Sequence, residues 1–145
     1  MIVYLDASAL VKCYVAEPGS QAVTSLITNA DTVGTAAISR AEVSAALGKA
    51  RRIKVLTQAE AASALQVFTA DWENLVRLQI TEVLVARAAN LAWNHGLRGY
   101  DAVHLAAATF WQEMLGEPVV LSTFDRQLWQ GASMTGLIAW PESIG

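Results

Sequence analysis

The chain has 145 residues, of which 54% are hydrophobic and 16% charged, and its formal net charge is −3. This length suits one domain with one core, so we expect residues 1–145 to form a single domain. The negative net charge argues against a protein that holds nucleic acid through bulk positive charge, so any such contact must be local.

Short apolar runs alternate with helical patterns along the chain. In chain order, the predicted elements are strand 2–5, helices 7–15 and 21–28, strand 32–38, helices 39–52 and 57–72, strand 76–80, helices 81–94 and 100–115, strand 119–122, helix 125–130 and a candidate fifth strand 137–139. The strands are continuous apolar runs, which are typical of a parallel sheet buried on both faces. The sequence therefore predicts a three-layer α/β/α domain with a central, mainly parallel sheet of four to five strands.

Several helices carry recognisable end signals. Ser39 and Glu42 have the spacing of a capping box, and Thr57 and Glu60 repeat it at the start of the next helix. Gly116 follows the helix 100–115 and predicts a left-handed cap at its carboxyl end. These signals fix where the helices begin and end.

Acidic residues follow two of the predicted strands. Asp6 comes directly after the first strand, and Asp125 comes shortly after the fourth. The carboxyl ends of parallel strands form the edge of a sheet where ligands bind. Glu42 and Asp101 lie in the first turns of two predicted helices, so all four carboxylates meet in one cleft if those helices begin at the same edge. We refer to Asp6, Glu42, Asp101 and Asp125 as the four acids.

Carboxylates in one cleft repel one another, by about 4 kcal/mol for a pair ~4 Å apart. A divalent cation removes this cost, and because the candidate ligands are all oxygens we expect Mg²⁺ or Mn²⁺. Such an ion, keeping some of its waters, supports hydrolysis of a phosphodiester. Structural roles remain open: Asp6 and Asp125 as helix N-caps, Glu42 as half of a capping box, and Asp101 as a charge that favours its helix dipole.

Four segments around these acids also carry a family resemblance. They read YLDASALVK at 4–12, ISRAEV at 38–43, LRGYDAVHLA at 97–106 and LSTFDRQL at 121–128. In this order and at these separations they resemble the PIN-domain nucleases, and among them the VapC-type toxins of toxin–antitoxin pairs. The resemblance covers the whole length of the chain.

The resemblance implies an endoribonuclease that depends on Mg²⁺ or Mn²⁺, is usually a homodimer and is held inactive by a cognate antitoxin. It makes the four acids the catalytic and metal-binding residues. It also implies that Thr123 orients Asp125 or a metal-bound water, although Thr123 has the alternative role of a helix-start hydroxyl. Some relatives carry a further acid just after the last one, whereas residues 126–130 contain none, so we expect one firmly bound ion.

Other polar residues have more than one candidate role. Ser8 is a candidate for a hydrogen bond to a metal-bound water or phosphate, or for a helix cap. We expect His104 to be a packed histidine with local hydrogen bonds, the alternative being a mixed ligand pair with Asp101 on the same helix face. Candidate phosphate contacts are Lys12 and Arg98, whose alternative is charge balance against the acids. A basic cluster has three open roles, as an RNA guide, an antitoxin contact or a solvated helix end, and comprises Lys49, Arg51, Arg52 and Lys54.

The composition also bears on partners and location. With few charged residues, part of the surface must be apolar, which predicts an interface with a second copy or a protein partner. The longest charge-free stretch, residues 127–141, is broken by glycines and too short to cross a membrane. The amino-terminal residues show no export pattern, and the single Cys13 fits a reducing compartment, so we expect a cytoplasmic protein.

Two rival functions remain at this stage. Asp6 after the first strand also suits the nucleophile of a haloacid dehalogenase-like phosphatase, although the second acid of those enzymes would fall on Ser8. The second rival is a non-catalytic binding module on the PIN fold. Retention of all four acids argues against that module.

Overall fold

The elements follow one another in a regular α/β order, and the computed structural model describes them over residues 1–144. In chain order they are β1 (Ile2–Leu5), α1 (Ala7–Leu10), a 3-10 turn (Val11–Cys13), α2 (Ser20–Thr28), β2 (Thr32–Ala36), α3 (Ser39–Arg52), α4 (Gln58–Trp72), β3 (Val76–Leu78), α5 (Glu82–His95), α6 (Gly99–Leu115), β4 (Val119–Ser122), α7 (Arg126–Met134) and β5 (Ile138–Trp140). The predicted alternation of strands and helices is confirmed.

The five strands form one sheet in the order β3-β2-β1-β4-β5, and every neighbouring pair is parallel. Side chains of β1 alternate between two cores. Tyr4 faces the core built from α5, α6 and α7, whereas Val3 and Leu5 face the core built from the first four helices. The predicted three-layer α/β/α fold is confirmed, with β1 at the centre of the sheet and helices on both faces.

Several element boundaries differ from the prediction. Helix α1 is short and tightens into the 3-10 turn, where the backbone N–H of Tyr14 donates to Val11 O at 2.9 Å. Strand β2 ends at Ala36 and not at residue 38. Helix α7 continues through Gly131 to Met134, although the prediction ended it at residue 130. A Cβ at that glycine would lie 3.2 Å from a methyl carbon of Leu105, so the glycine allows α7 to pack closely against α6.

The helix end signals were right in two cases and wrong in one. Thr57 and Glu60 form the predicted capping box at α4, and Gly116 has the left-handed conformation, with φ 65°. Helix α3 has no side-chain cap, because Ile38 is its N-cap residue. The hydroxyl of Ser39 instead lies 2.6 Å from Thr35 Oγ1. Glu42 is therefore not held in a capping box.

Close packing between β2 and α6 depends on Gly34. A Cβ at this position would lie 2.7 Å from the Trp111 ring, a distance that real Cβ atoms do not show. The helix that carries Asp101 can therefore lie directly on the sheet. Among residues 1–144, none of the helices combines the length and the apolar character needed to span a bilayer.

Candidate active site

The four acids lie at the carboxyl ends of the central strands. Asp6 follows β1 and is the N-cap of α1, and Asp125 follows β4 and is the N-cap of α7. Glu42 lies in the first turn of α3, after β2, and Asp101 lies in the first turn of α6. Because β1 pairs with both β2 and β4, the fold brings these four positions to one edge of the sheet.

Asp6 has the most enclosed carboxylate of the group, with only 3% of the residue exposed. Its Oδ1 accepts hydrogen bonds from Ser8 Oγ at 2.7 Å and from the backbone N–H of Ala9 at 3.0 Å. Its Oδ2 accepts from Thr123 Oγ1 at 2.6 Å. Burial raises the pKa of Asp6, and His104 and the hydroxyls of Thr123 and Ser8 oppose that rise. The carboxylate is held in place on both oxygens.

Thr123 connects the first and the last of the four acids. Its hydroxyl is fully buried, donates to Asp6 and accepts the backbone N–H of Asp125 at 3.0 Å. The side chain of Asp125 accepts the backbone N–H of Leu128, so Asp125 also caps α7. Helix capping was predicted as an alternative to a role in the site. In the structure, Asp6 and Asp125 each cap a helix and also lie together in the site.

Arg98 bridges the carboxylates of Asp101 and Asp125. Its Nε donates to Asp101 Oδ2 at 2.9 Å, and its Nη2 donates to Asp125 Oδ2 at 2.6 Å. Burial and the negative charge of Asp125 raise the pKa of Asp101, although the guanidinium works against this rise. Charge balance against the acids, one of the two roles considered for Arg98, is therefore what the structure shows.

Glu42 is held by His104. The imidazole Nε2 lies 2.7 Å from Glu42 Oε1, and Nδ1 lies 2.7 Å from the hydroxyl of Tyr4. The prediction of local hydrogen bonds for His104 was wrong, because its partners come from α3 and β1. Sequence reasoning missed Tyr4, although a tyrosine within a buried aliphatic strand signals a hydroxyl that needs a partner.

Together these contacts link three of the four acids, Asp6, Asp125 and Asp101, through Thr123 and Arg98, whereas the fourth, Glu42, is bonded to His104. Their oxygen donors have the chemistry that a hard divalent cation prefers. Within residues 1–144, however, no three His, Cys, Asp or Glu side chains lie close enough together to hold one ion. The Arg98 guanidinium provides the positive charge between Asp101 and Asp125 in this arrangement.

Two of the other candidates lie away from this cluster. The ammonium of Lys12 donates to Glu17 and to Pro18 O and lies over the Phe124 ring, so it balances none of the four acids. The basic cluster is at the far end of α3. Arg52 is ten residues beyond Glu42 on that helix, which is about 15 Å along the axis.

The family model described as PIN domain matches residues 3–130 of the chain. The chain belongs to the PIN-domain family. It is also 35% identical over 144 residues to a protein named Ribonuclease VapC45 from Mycobacterium tuberculosis, a match that covers 99% of this chain and 97% of that protein. This relationship confirms the predicted resemblance to VapC-type PIN domains, and it favours the nuclease over the phosphatase alternative.

Solved structures share the fold at much lower identity. A toxin–antitoxin complex from Klebsiella pneumoniae contains a chain with a TM-score of 0.66 and 15% identity, covering 94% of this chain and 95% of that one. PAE2754 from Pyrobaculum aerophilum also has a TM-score of 0.66, with 22% identity, covering 96% of this PIN domain and 89% of that chain. PIN-domain ribonucleases generally depend on divalent metal ions.

Proposed function

We propose that this PIN domain is an endoribonuclease toxin that depends on Mg²⁺ or Mn²⁺, acts in the cytoplasm as one domain over residues 1–145, and is restrained by a cognate antitoxin. The observation that carries the proposal is the position of all four acids at the carboxyl edge of the sheet, three of them linked through Thr123 and Arg98. Two comparisons support it: the near full-length relative is named a ribonuclease, and a protein of the same fold belongs to a toxin–antitoxin complex.

In this proposal the four acids hold the metal ion, and one firmly bound ion is expected. When bound, the ion would lower the pKa of a coordinated water and neutralise the charge that develops on the phosphodiester. Thr123 and Ser8 keep Asp6 oriented through hydrogen bonds to both of its oxygens. Arg98, whose side chain is 55% exposed, balances the charge of Asp101 and Asp125 and lies close enough to solvent to contact a phosphate.

The substrate needs positive charge near the acids, because the net charge of the chain is −3. Arg40 and Arg77 line an open groove of about 720 Å³ together with Gln79 and Ile80. Neither guanidinium forms a salt bridge within residues 1–144, and Arg40 is two residues from Glu42. We assign the approach of the RNA strand to this groove, since both arginines are exposed and lack a carboxylate partner.

Exposed apolar side chains support an interface with a second copy and with the antitoxin. Trp93 is 89% exposed and lies on the same helix as the exposed Val83, and Met134 is exposed on α7. Large apolar side chains exposed to this extent are typical of surfaces that another protein covers. We therefore propose that the toxin is a homodimer.

The test is RNA cleavage by the purified chain and by its Asp6→Asn variant, read by sequencing of the RNA ends. We expect Asp6→Asn to lower cleavage by at least ~10²-fold, because it removes one negative ligand while an amide can still cap α1. Asp31→Asn is the matched control, since Asp31 pairs with the terminal amino group at the opposite edge of the sheet. Equal cleavage by the parent chain and Asp6→Asn would favour a non-catalytic binding module.

A further inference from the structure

We propose that Tyr4 and His104 are positioning residues that hold Glu42 ready for the metal ion. The inference rests on the proposed function and adds residues that lie behind the four acids. The chain of contacts runs from a tyrosine in the central strand, through one imidazole on α6, to a carboxylate on α3. These residues are separated by 100 and 62 positions in sequence, so only the folded domain brings them together.

Both positioning residues are rigidly placed. Tyr4 is fully buried and His104 is 1% exposed. Their rings meet edge to face, with centroids 5.9 Å apart and an interplanar angle of 73°. A buried tyrosine hydroxyl and a buried imidazole need hydrogen-bond partners, and each of these groups satisfies the other. Packing and hydrogen bonding therefore fix the positions of both rings.

The contacts also determine which imidazole nitrogen carries the proton. The Glu42 carboxylate can only accept a hydrogen bond, so Nε2 of His104 must be the donor. In a neutral ring Nδ1 is then an acceptor, which the Tyr4 hydroxyl satisfies as a donor. The direction of donation is the same at both bonds, from Tyr4 towards Glu42.

Glu42 needs such support more than the other three acids do. Asp6 and Asp125 are held by backbone N–H groups at helix starts, and Asp101 has a shorter side chain. Glu42 has a longer, partly exposed side chain and no capping role, since Ser39 bonds to Thr35. The bond to Oε1 restricts the carboxylate before any ion arrives and leaves Oε2 for a ligand role. Pre-ordering of a ligand reduces the entropy lost on metal binding.

The experiment uses the full chain with Tyr4→Phe, which removes one hydroxyl and keeps the ring. We expect Mn²⁺ affinity, measured by calorimetry, to fall roughly 10-fold, as outer-shell changes commonly do. We expect kcat for RNA cleavage to fall with it, while KM for RNA stays within about twofold because Tyr4 is buried away from the substrate. Tyr14→Phe is the matched control, since Tyr14 donates to Asp71 on another part of the surface.

His104→Leu and His104→Gln provide a second comparison. Leucine removes the donor to Glu42, whereas the glutamine amide can reach the same oxygen, so glutamine should recover most of the Mn²⁺ affinity that leucine loses. The imidazole ¹⁵N shifts of the metal-free parent chain supply a direct readout. We expect the proton on Nε2 in the parent chain, and a shifted Nδ1 signal in Tyr4→Phe, where Nδ1 loses its hydrogen-bond donor.

Failures of the two proposals are distinguishable. A parent chain that cleaves RNA and binds Mn²⁺ while Tyr4→Phe and His104→Leu do both equally well would overturn the positioning role alone. A parent proton on Nδ1 of His104 would overturn it as well. A parent chain that neither binds Mn²⁺ nor cleaves RNA would contradict the proposed function and the positioning role together. If His104→Leu does not fold, Tyr4→Phe and the ¹⁵N shifts still decide the outcome.

Discussion

At Asp6, burial opposes ionisation of the carboxylate, although hydrogen bonds favour it. Its carboxylate accepts three hydrogen bonds, and burial still raises its pKa. The folded chain therefore binds a proton at Asp6 more tightly than the unfolded chain does. As the pH rises through the raised pKa, ionisation of Asp6 lowers the free energy of unfolding of the metal-free protein.

We expect Asp6→Asn to be more stable than the parent chain in EDTA, by a margin that grows as the pH rises above 3.8, the ordinary pKa of an aspartate. The amide of asparagine does not ionise. In the parent chain, ionisation of the buried carboxylate lowers the free energy of unfolding as the pH rises towards its raised pKa. The measurement is thermal unfolding of both chains across this range. Asp31→Asn should show the opposite sign, because the terminal amino group lowers the pKa of Asp31. A margin for Asp6→Asn that does not change with pH would contradict this explanation.

The sequence identified the residues of the candidate site better than their interactions. Each of the four acids is marked by its place after a strand or in the first turn of a helix, which is a local feature. The role of His104 was mispredicted because its neighbours in sequence are apolar, while its partners Tyr4 and Glu42 are distant in the chain. Contacts between distant residues follow from the packing of α6 on the sheet and have no local signature.

At the scale of elements, two identical capping signals had different outcomes. At α4 the hydroxyl of Thr57 accepts the backbone N–H of Glu60, and the Glu60 carboxylate accepts the backbone N–H of Thr57. At α3 a buried hydroxyl on β2, Thr35, contacts Ser39 and donates in turn to Leu5 O. A tertiary contact therefore replaced the local one, because Ser39 is buried and Thr57 is exposed at the surface.

We expect Thr57→Ala to lower the free energy of unfolding by about 1 kcal/mol, the usual cost of a lost N-cap. For a chain of this length, that corresponds to a fall of about 4 °C in melting temperature. Thr69→Ala on the same helix is the control, since Thr69 only donates back to Leu65 O and alanine is the better helix former. A loss of stability equal in both variants would show that the cap contributes nothing.

At the scale of the whole molecule, alternating strands and helices were enough to predict the parallel sheet and its three layers. Element boundaries were less predictable where glycine allows close packing, as at Gly131, because that role resembles a helix stop in sequence. The strand order places β1 at the centre of the sheet, and this order is what makes acids from four parts of the chain neighbours. Chain order alone does not give the distances between them.

We propose that these four acids together form one metal site. Arg98 holds Asp101 and Asp125 in the present arrangement, so a cation must compete with its guanidinium for those oxygens. The guanidinium is a large exposed group, and its departure from the carboxylates would place positive charge where an RNA phosphate can meet it. This competition makes the position of Arg98 a marker of metal binding.

The most direct test is an anomalous difference map from crystals of the chain grown with Mn²⁺ at a concentration that supports RNA cleavage. We expect one strong peak bounded by the carboxylates of Asp6, Asp101 and Asp125, within reach of Glu42, with Arg98 moved away. A peak elsewhere on the molecule, with Arg98 still bridging Asp101 and Asp125, would contradict it.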